Sequence, residues 1–237
     1  MLLKIFPYNA STYGSEIDNL FWLIFVFVAI GFVISLFVLL YPLIKYNSNR
    51  VKKAEYFTGE RKKHFRWIVI ALVLLTMSDF IILAVEHGTW EKIEGSPAQA
   101  DLNVVVTGRQ WNWIFTYPGP DGRLYTSDDI TIDEQSSELH VPVNKNIVVD
   151  LKAKEVLHDF FVPNFRLKQD VIPGRTIKRW FNATTEGKYE LVCSQICGVL
   201  HSKMRSFIVV ESQEKFDQYL KSLYDKYSPG LSMNDNK

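Results

Sequence analysis

Between Leu20 and Ile44 the chain reads LFWLIFVFVAIGFVISLFVLLYPLI without one charged residue, and this run constrains the fold more than any other feature. At about 1.5 Å per residue it crosses a hydrocarbon core of roughly 30 Å with some tilt. A second run, Trp67 to Val85, is interrupted only by Asp79. Neither run carries the polar face at helical spacing that a buried helix of a soluble core would show. Two membrane-spanning helices, about 20–44 and 67–85, are therefore expected within an N-terminal portion 1–95. The connecting segment holds Lys45, Arg50, Lys52, Lys53, Arg61, Lys62, Lys63 and Arg66 against Glu55 and Glu60. By the positive-inside rule this loop faces the cytoplasm, or the equivalent compartment of an organelle, and both termini lie outside. A cleavable signal is not expected: Lys4 alone would form its basic region, and the apolar run is longer than such a signal uses. No cysteine precedes the first helix to accept a lipid.

After a short linker, Glu94-Gly95-Ser96-Pro97, the pattern changes to short runs rich in Val, Ile and aromatic residues. Leu102–Val106, Trp111–Tyr117, Ile147–Leu151, Thr176–Phe181, Tyr189–Val192 and Ser206–Val210 read as strands, and Pro118-Gly119-Pro120-Asp121-Gly122 as a turn. Such strands with no long helix between them predict an antiparallel sandwich or barrel over 101–212. Ser212 is placed to cap a helix in 213–237 whose Phe216, Tyr219, Leu220, Leu223 and Tyr227 share a face. Internal repeats and low-complexity tracts are absent.

A net charge of +1 offers no field for nucleic acid, and 47% apolar content is too rich for a disordered chain. Two cysteines exclude a disulfide-dense scaffold and any four-cysteine zinc or iron–sulfur site within the chain. With no CxxCH, a fused c-type heme is excluded too.

Those two cysteines lie in Cys193-Ser-Gln-Ile-Cys197-Gly-Val-Leu-His201-Ser-Lys-Met204. On the outer side of a membrane a disulfide is one reading. An imidazole and a thioether so close behind the thiols favour a soft metal, because thiolate, imidazole and a weak axial thioether form the ligand set that selects copper. Zinc on Cys193, Cys197, His201 and a further histidine is the competing metal, although it has no use for methionine. His158, in Val156-Leu-His-Asp-Phe-Phe-Val-Pro163, is a candidate for the second imidazole, or else an ordinary core histidine.

The pattern C-x-x-x-C-G-x-x-H-x-x-M, with an upstream histidine before Val-Pro, closely resembles subunit II of cytochrome c oxidase, as do Leu167–Gly174 and Gly108–Trp113. The resemblance covers nearly the whole chain and implies a two-helix transmembrane hairpin, an all-β cupredoxin-like Greek-key barrel and a short C-terminal helix. It implies a dinuclear copper A centre: Cys193 and Cys197 bridging both metals, His158 and His201 binding one each, Met204 as a weak axial ligand and the backbone carbonyl of Gln195 as the other. Trp111 corresponds to the family's exposed tryptophan where electrons enter. The implied partners are a heme-containing catalytic subunit I with the other oxidase subunits, cytochrome c as donor, and the lipid bilayer. Oxygen reduction belongs to another subunit. The expected location is the bacterial plasma membrane, with the copper domain on the periplasmic or outer side, in preference to the mitochondrial inner membrane.

Some positions stay open. Trp111, Trp113, Phe115 and Tyr117 share a period of two, so most of them read as one apolar sheet face. Asp121, Asp128, Asp129, Asp133, Glu134 and Glu138 stand against Arg123 alone within 121–138; they either steer a basic donor or solvate turns. Gln195 replaces the glutamate that in the commoner pattern also reaches a magnesium ion, which leaves magnesium in question because an amide is a weaker ligand for a hard cation. Arg109 stands where histidine is frequent. Asp79 reads either as a contact with the catalytic subunit or as part of a proton route, and Glu60 as a candidate for the carboxylate at a proton-channel mouth. Alternatives at the level of function are the copper A subunit of a nitric oxide reductase and an anchored copper-binding assembly module. A quinol oxidase subunit is disfavoured, since those resemble the fold without the copper ligands.

Overall fold

The computed structural model describes residues 6–47, 49–51, 53, 59, 62–95, 99–135 and 137–227. Lys4, Lys52, Glu55, Glu60 and Arg61, and Ser96-Pro97 of the linker, lie outside these. Both apolar runs are helical, α1 over Gly14–Lys45 and α2 over Lys62–Glu94. At 32 residues, α1 is about 48 Å long, so helical turns continue beyond the apolar segment itself. Phe32, Phe37, Leu39 and Leu43 on α1, and Trp67, Leu75 and Phe80 on α2, are exposed on the chain. Both helices are long and apolar enough to cross a membrane.

The chain divides into two compact units, Glu16–Glu91 and the remainder. In the second, ten strands form two five-stranded sheets: β1 Leu102–Arg109, β2 Asn112–Tyr117, β3 Ile130–Ile132, β4 Leu139–Pro142, β5 Asn146–Ala153, β6 His158–Val162, β7 Leu167–Val171, β8 Ile177–Asn182, β9 Gly187–Cys193 and β10 Arg205–Glu211. One sheet has the order β3-β2-β1-β5-β8 and the other β4-β10-β9-β6-β7. This all-β domain behind two long apolar helices, closed by a short C-terminal helix, is the expected fold class. The pairing departs from a purely antiparallel expectation in one respect: β1 with β5 and β10 with β4 are parallel. Chain crossovers bring those strands side by side, which hairpins alone cannot do.

The core lies between the sheets, where Val104, Val106, Trp113, Phe115, Leu151, Phe160, Leu191 and Ile208 are buried. Trp113, Phe115 and Tyr117 are all in this core, as the reading of a common apolar face expects, whereas Trp111 precedes β2 in the turn and is half-buried. A segment ahead of α1 also belongs to this unit. Ala10 donates its N–H to the Asn164 carbonyl at 2.9 Å and accepts from Thr184 at 2.9 Å, and the Ser11 hydroxyl donates to the Phe165 carbonyl at 2.9 Å.

The last helix, α3, spans Gln213–Tyr227. The Ser212 hydroxyl accepts from the Lys215 N–H at 3.5 Å, the position of an N-cap. Phe216 and Leu223 are buried as the apolar stripe predicts, but the neighbouring Tyr224 is buried with them and Tyr227 is exposed. Tyr224 turns inward because its hydroxyl reaches the Pro118 carbonyl at 2.9 Å.

Candidate metal centre

The antiparallel pairing of β6 with β9 sets Phe160 opposite Cys193, which brings His158 at the start of β6 beside the thiol that ends β9. From Cys193 the chain leaves the sheet, makes a 3-10 turn at His201–Lys203, and rejoins at β10. The loop is closed at its base by the Cys193 N–H donating to the Met204 carbonyl at 3.2 Å. A second clamp is the Ser194 hydroxyl, which donates to the buried Asp159 carboxyl at 2.6 Å.

The donor atoms converge. Cys193 Sγ lies 3.8 Å from His158 Nδ1, 3.8 Å from Cys197 Sγ and 3.2 Å from the Gln195 carbonyl oxygen. Cys197 Sγ is 3.5 Å from His201 Nδ1 and 3.8 Å from Met204 Sδ. Ligand atoms of His158, Cys193 and Cys197 all fall within 4.8 Å of one another. Both cysteines are free thiols, and 3.8 Å between sulfurs is well beyond the roughly 2.05 Å of a disulfide. Two imidazole nitrogens, one beside each thiol, with a thioether and a carbonyl behind them, form a soft set suited to copper. His158, Cys193, Cys197 and Met204 are buried, His201 is half-buried, and the Gln195 side chain is exposed.

Burial also sets the protonation of these side chains. It holds the His158 imidazole below its ordinary value, with His201 adding to the effect and Glu155 opposing it, so the neutral ring that a metal requires is favoured. Burial and the adjacent Cys193 push the Cys197 thiol up to about 12. A metal taken up by these side chains would have to displace a firmly held proton.

Around this centre β1 approaches closely. A side chain at Gly108 would meet His158 Cδ2 at 2.8 Å, so the imidazole lies against bare backbone. The ring of Trp113 is 6.1 Å from that of His158. Gly198, with φ of 125°, adopts a conformation that side-chain-bearing residues rarely enter; the open space at its Cα is filled by Trp111, whose Nε1 would lie 3.1 Å from a Cβ there.

The acidic residues of 121–138 are largely occupied within the domain. Asp133 takes both ends of the Arg109 guanidinium at 2.7 and 2.8 Å, Glu134 pairs with Lys226, and Glu138 with Lys188. Asp121 and Asp129 accept backbone N–H groups of Arg123 and Tyr125 in the turn. Asp121 and Asp129 thus act within the turn while Asp133, Glu134 and Glu138 make ion pairs, which gives Arg109 a contact that composition did not reveal. Asp79 sits exposed on α2. Three contributors went unmarked in the sequence: Asp159, Ser194 and Gln110. Ser194 and Gln110 lie inside the motifs already noted, but their bonds join strands far apart in the chain.

Residues 102–213 match the family described as cytochrome c oxidase subunit II, periplasmic domain. Among curated relatives, an alternative cytochrome c oxidase subunit 2 from Bradyrhizobium diazoefficiens is 30% identical, the alignment covering 91% of this chain and 81% of the relative. A cytochrome c oxidase subunit 2 from Cereibacter sphaeroides is 29% identical, covering 91% and 78%. Among solved structures, the periplasmic domain of subunit II of the cytochrome oxidase of Bradyrhizobium japonicum is 32% identical and covers 55% of this chain and 98% of its own, with a TM-score of 0.49.

Proposed function

The chain belongs to the cytochrome c oxidase subunit II family, a membrane-anchored subunit of an oxidoreductase complex, and we propose that it is the subunit through which electrons reach that complex. In this reading it takes single electrons from a c-type cytochrome at a dinuclear copper A centre and delivers them to heme in the catalytic subunit. The observation that carries it is the meeting of Cys193, Cys197, His158, His201, Met204 and the Gln195 carbonyl in one pocket. Copper held by these donors would supply a one-electron carrier whose charge could be spread over the metal and the thiolates of Cys193 and Cys197. The chain's own part is to hold six donors in place before the metal arrives. His158 is pinned between Gly108 and the core ring of Trp113, and the loop is clamped by Asp159 and by the Cys193–Met204 backbone bond. Rigid donors leave little to rearrange when an electron arrives or departs.

Trp111, half-buried and lying against Gly198 of the loop, is in this reading the side chain that receives the electron. In this reading the β-domain lies on the outer side of a bacterial plasma membrane, where a soluble donor can reach it; the basic character of the segment between α1 and α2 supports that orientation. Magnesium is not assigned: the side chain of Gln195 is neutral and exposed.

Ligand replacement in the assembled oxidase tests the reading. Cys193→Ser should abolish the copper signal, whereas Met204→Leu should keep both coppers and shift the reduction potential. Retention of a two-copper signal in the Cys193→Ser protein would overturn the assignment.

A further inference from the structure

Gln110 and Trp111 form the turn between β1 and β2, and that turn is fixed from three sides. Arg109 just before it makes the two-pronged ion pair with Asp133. The Gln110 N–H donates to the Glu155 carboxylate at 3.2 Å. The Gln110 side-chain amide crosses to the loop of the candidate metal centre and donates to the Cys197 carbonyl at 2.7 Å. Its Nε2 also lies 3.0 Å from where a Cβ of Gly198 would be, beside the Trp111 indole at 3.1 Å. Among the described residues the indole Nε1 itself has no hydrogen-bond partner. Packing alone holds the ring, so its seat depends on the turn and the loop staying together.

We propose that Gln110 is a positioning residue that ties the Trp111 turn to the Cys197–Gly198 peptide and so sets the separation between the indole and the metal-binding loop. The inference rests on the electron-transfer reading above and adds to it the part that fixes the path inward. The amide suits this role because it is a neutral donor long enough to reach the carbonyl, and it leaves the ligand atoms untouched. Electron transfer weakens steeply as the separation between donor and acceptor grows, so a bond that fixes the seat of the indole against the loop is read directly in the input rate.

The test uses the full chain in its assembled oxidase and, separately, the metal-free full chain in detergent. Gln110→Glu preserves shape and replaces the donor with an acceptor that repels the carbonyl. In the metal-free protein, hydrogen exchange at the His201 and Lys203 amides, which close the loop's turn on the Gly198 and Leu200 carbonyls, should quicken, while exchange in β9 and β10 stays unchanged. In the copper-loaded oxidase, the copper spectrum should persist while electron input from a reduced c-type cytochrome slows several-fold, in the same direction as the slowing expected of Trp111→Phe. Unchanged loop exchange, or quickened exchange with an unchanged input rate, would overturn the proposal. If the unsubstituted chain binds no copper pair while loop exchange responds as expected, the electron-transfer reading has failed, the role given to Gln110 in setting the electron path falls with it, and the tether stands only as a loop anchor.

Discussion

Gly108 shows how little room surrounds the donors. The gap between a Cβ at this position and the His158 ring would be 2.8 Å, and the ring is enclosed by Trp113 and the buried sheet. Gly108→Ala should therefore push the imidazole off its line, lowering copper affinity on the order of 10- to 100-fold, as loss of support around a metal ligand usually does. Competition with a copper chelator measures this; unchanged affinity would mean that the ring has slack. At this scale the sequence was most informative where chemistry is written in residue type. Cys193, Cys197, His201 and Met204 are spaced within one loop, and only their side chains needed to be read. Gly108 and Gln110 were not legible in the same way. Their importance comes from distances to His158 and Cys197, which are 50 and 87 positions away. Asp159 is a similar case: a charged residue after His158 looks like a surface residue until its burial and its bond to Ser194 are seen.

Among the elements, α3 is held by two unlike contacts. Phe216 and Leu223 are buried against the domain, and at the other end Glu134 receives Lys226 at 2.8 Å and the Tyr227 hydroxyl at 2.6 Å. Phe216→Ala should cost about 3–5 kcal/mol, read as a lower denaturant midpoint for the β-domain, since the ring is almost fully enclosed. The Glu134 contact is exposed and contributes through charge. Hydrogen bonds from Lys226 and Tyr227 hold its carboxyl below the ordinary value, so its contribution is present at neutral pH and is lost as pH falls through that lowered value. The protection factors of amides in the last turn of α3, taken against the intrinsic exchange rate at each pH, should thus fall as pH drops below the ordinary carboxylate range and also with added salt, while those of the first turn are unaffected. Equal protection factors at acid and neutral pH would show that the ion pair does not hold this turn. The long helices and six strands could be read from apolar runs. β3 and β4 could not: with three and four residues set among acids and turns, they present too short a pattern. In β7, Leu167-Lys-Gln-Asp-Val171, three consecutive polar residues hide the strand, although both ends are buried. Pairing with β6 decides its conformation more than composition does.

For the whole molecule, an average composition conceals two environments. α1 and α2 present apolar side chains outward along most of their length, a surface that water would not tolerate, while the remainder has an ordinary buried core. That division was plain from the uncharged run at Leu20–Ile44. The parallel β1–β5 and β10–β4 pairs were not, because they depend on crossovers joining distant strands. The two parts give a consistent physical picture: helices that fix the chain in a bilayer, and a sheet framework whose end gathers candidate donors from β6, the end of β9 and the β9–β10 loop. The most direct test of the central claim is copper content together with the electron paramagnetic resonance spectrum of the full chain in its assembled oxidase. Two coppers per chain with the hyperfine pattern of one electron shared equally by both nuclei is the predicted result. A single copper per chain, or the spectrum of an isolated Cu(II), would contradict it.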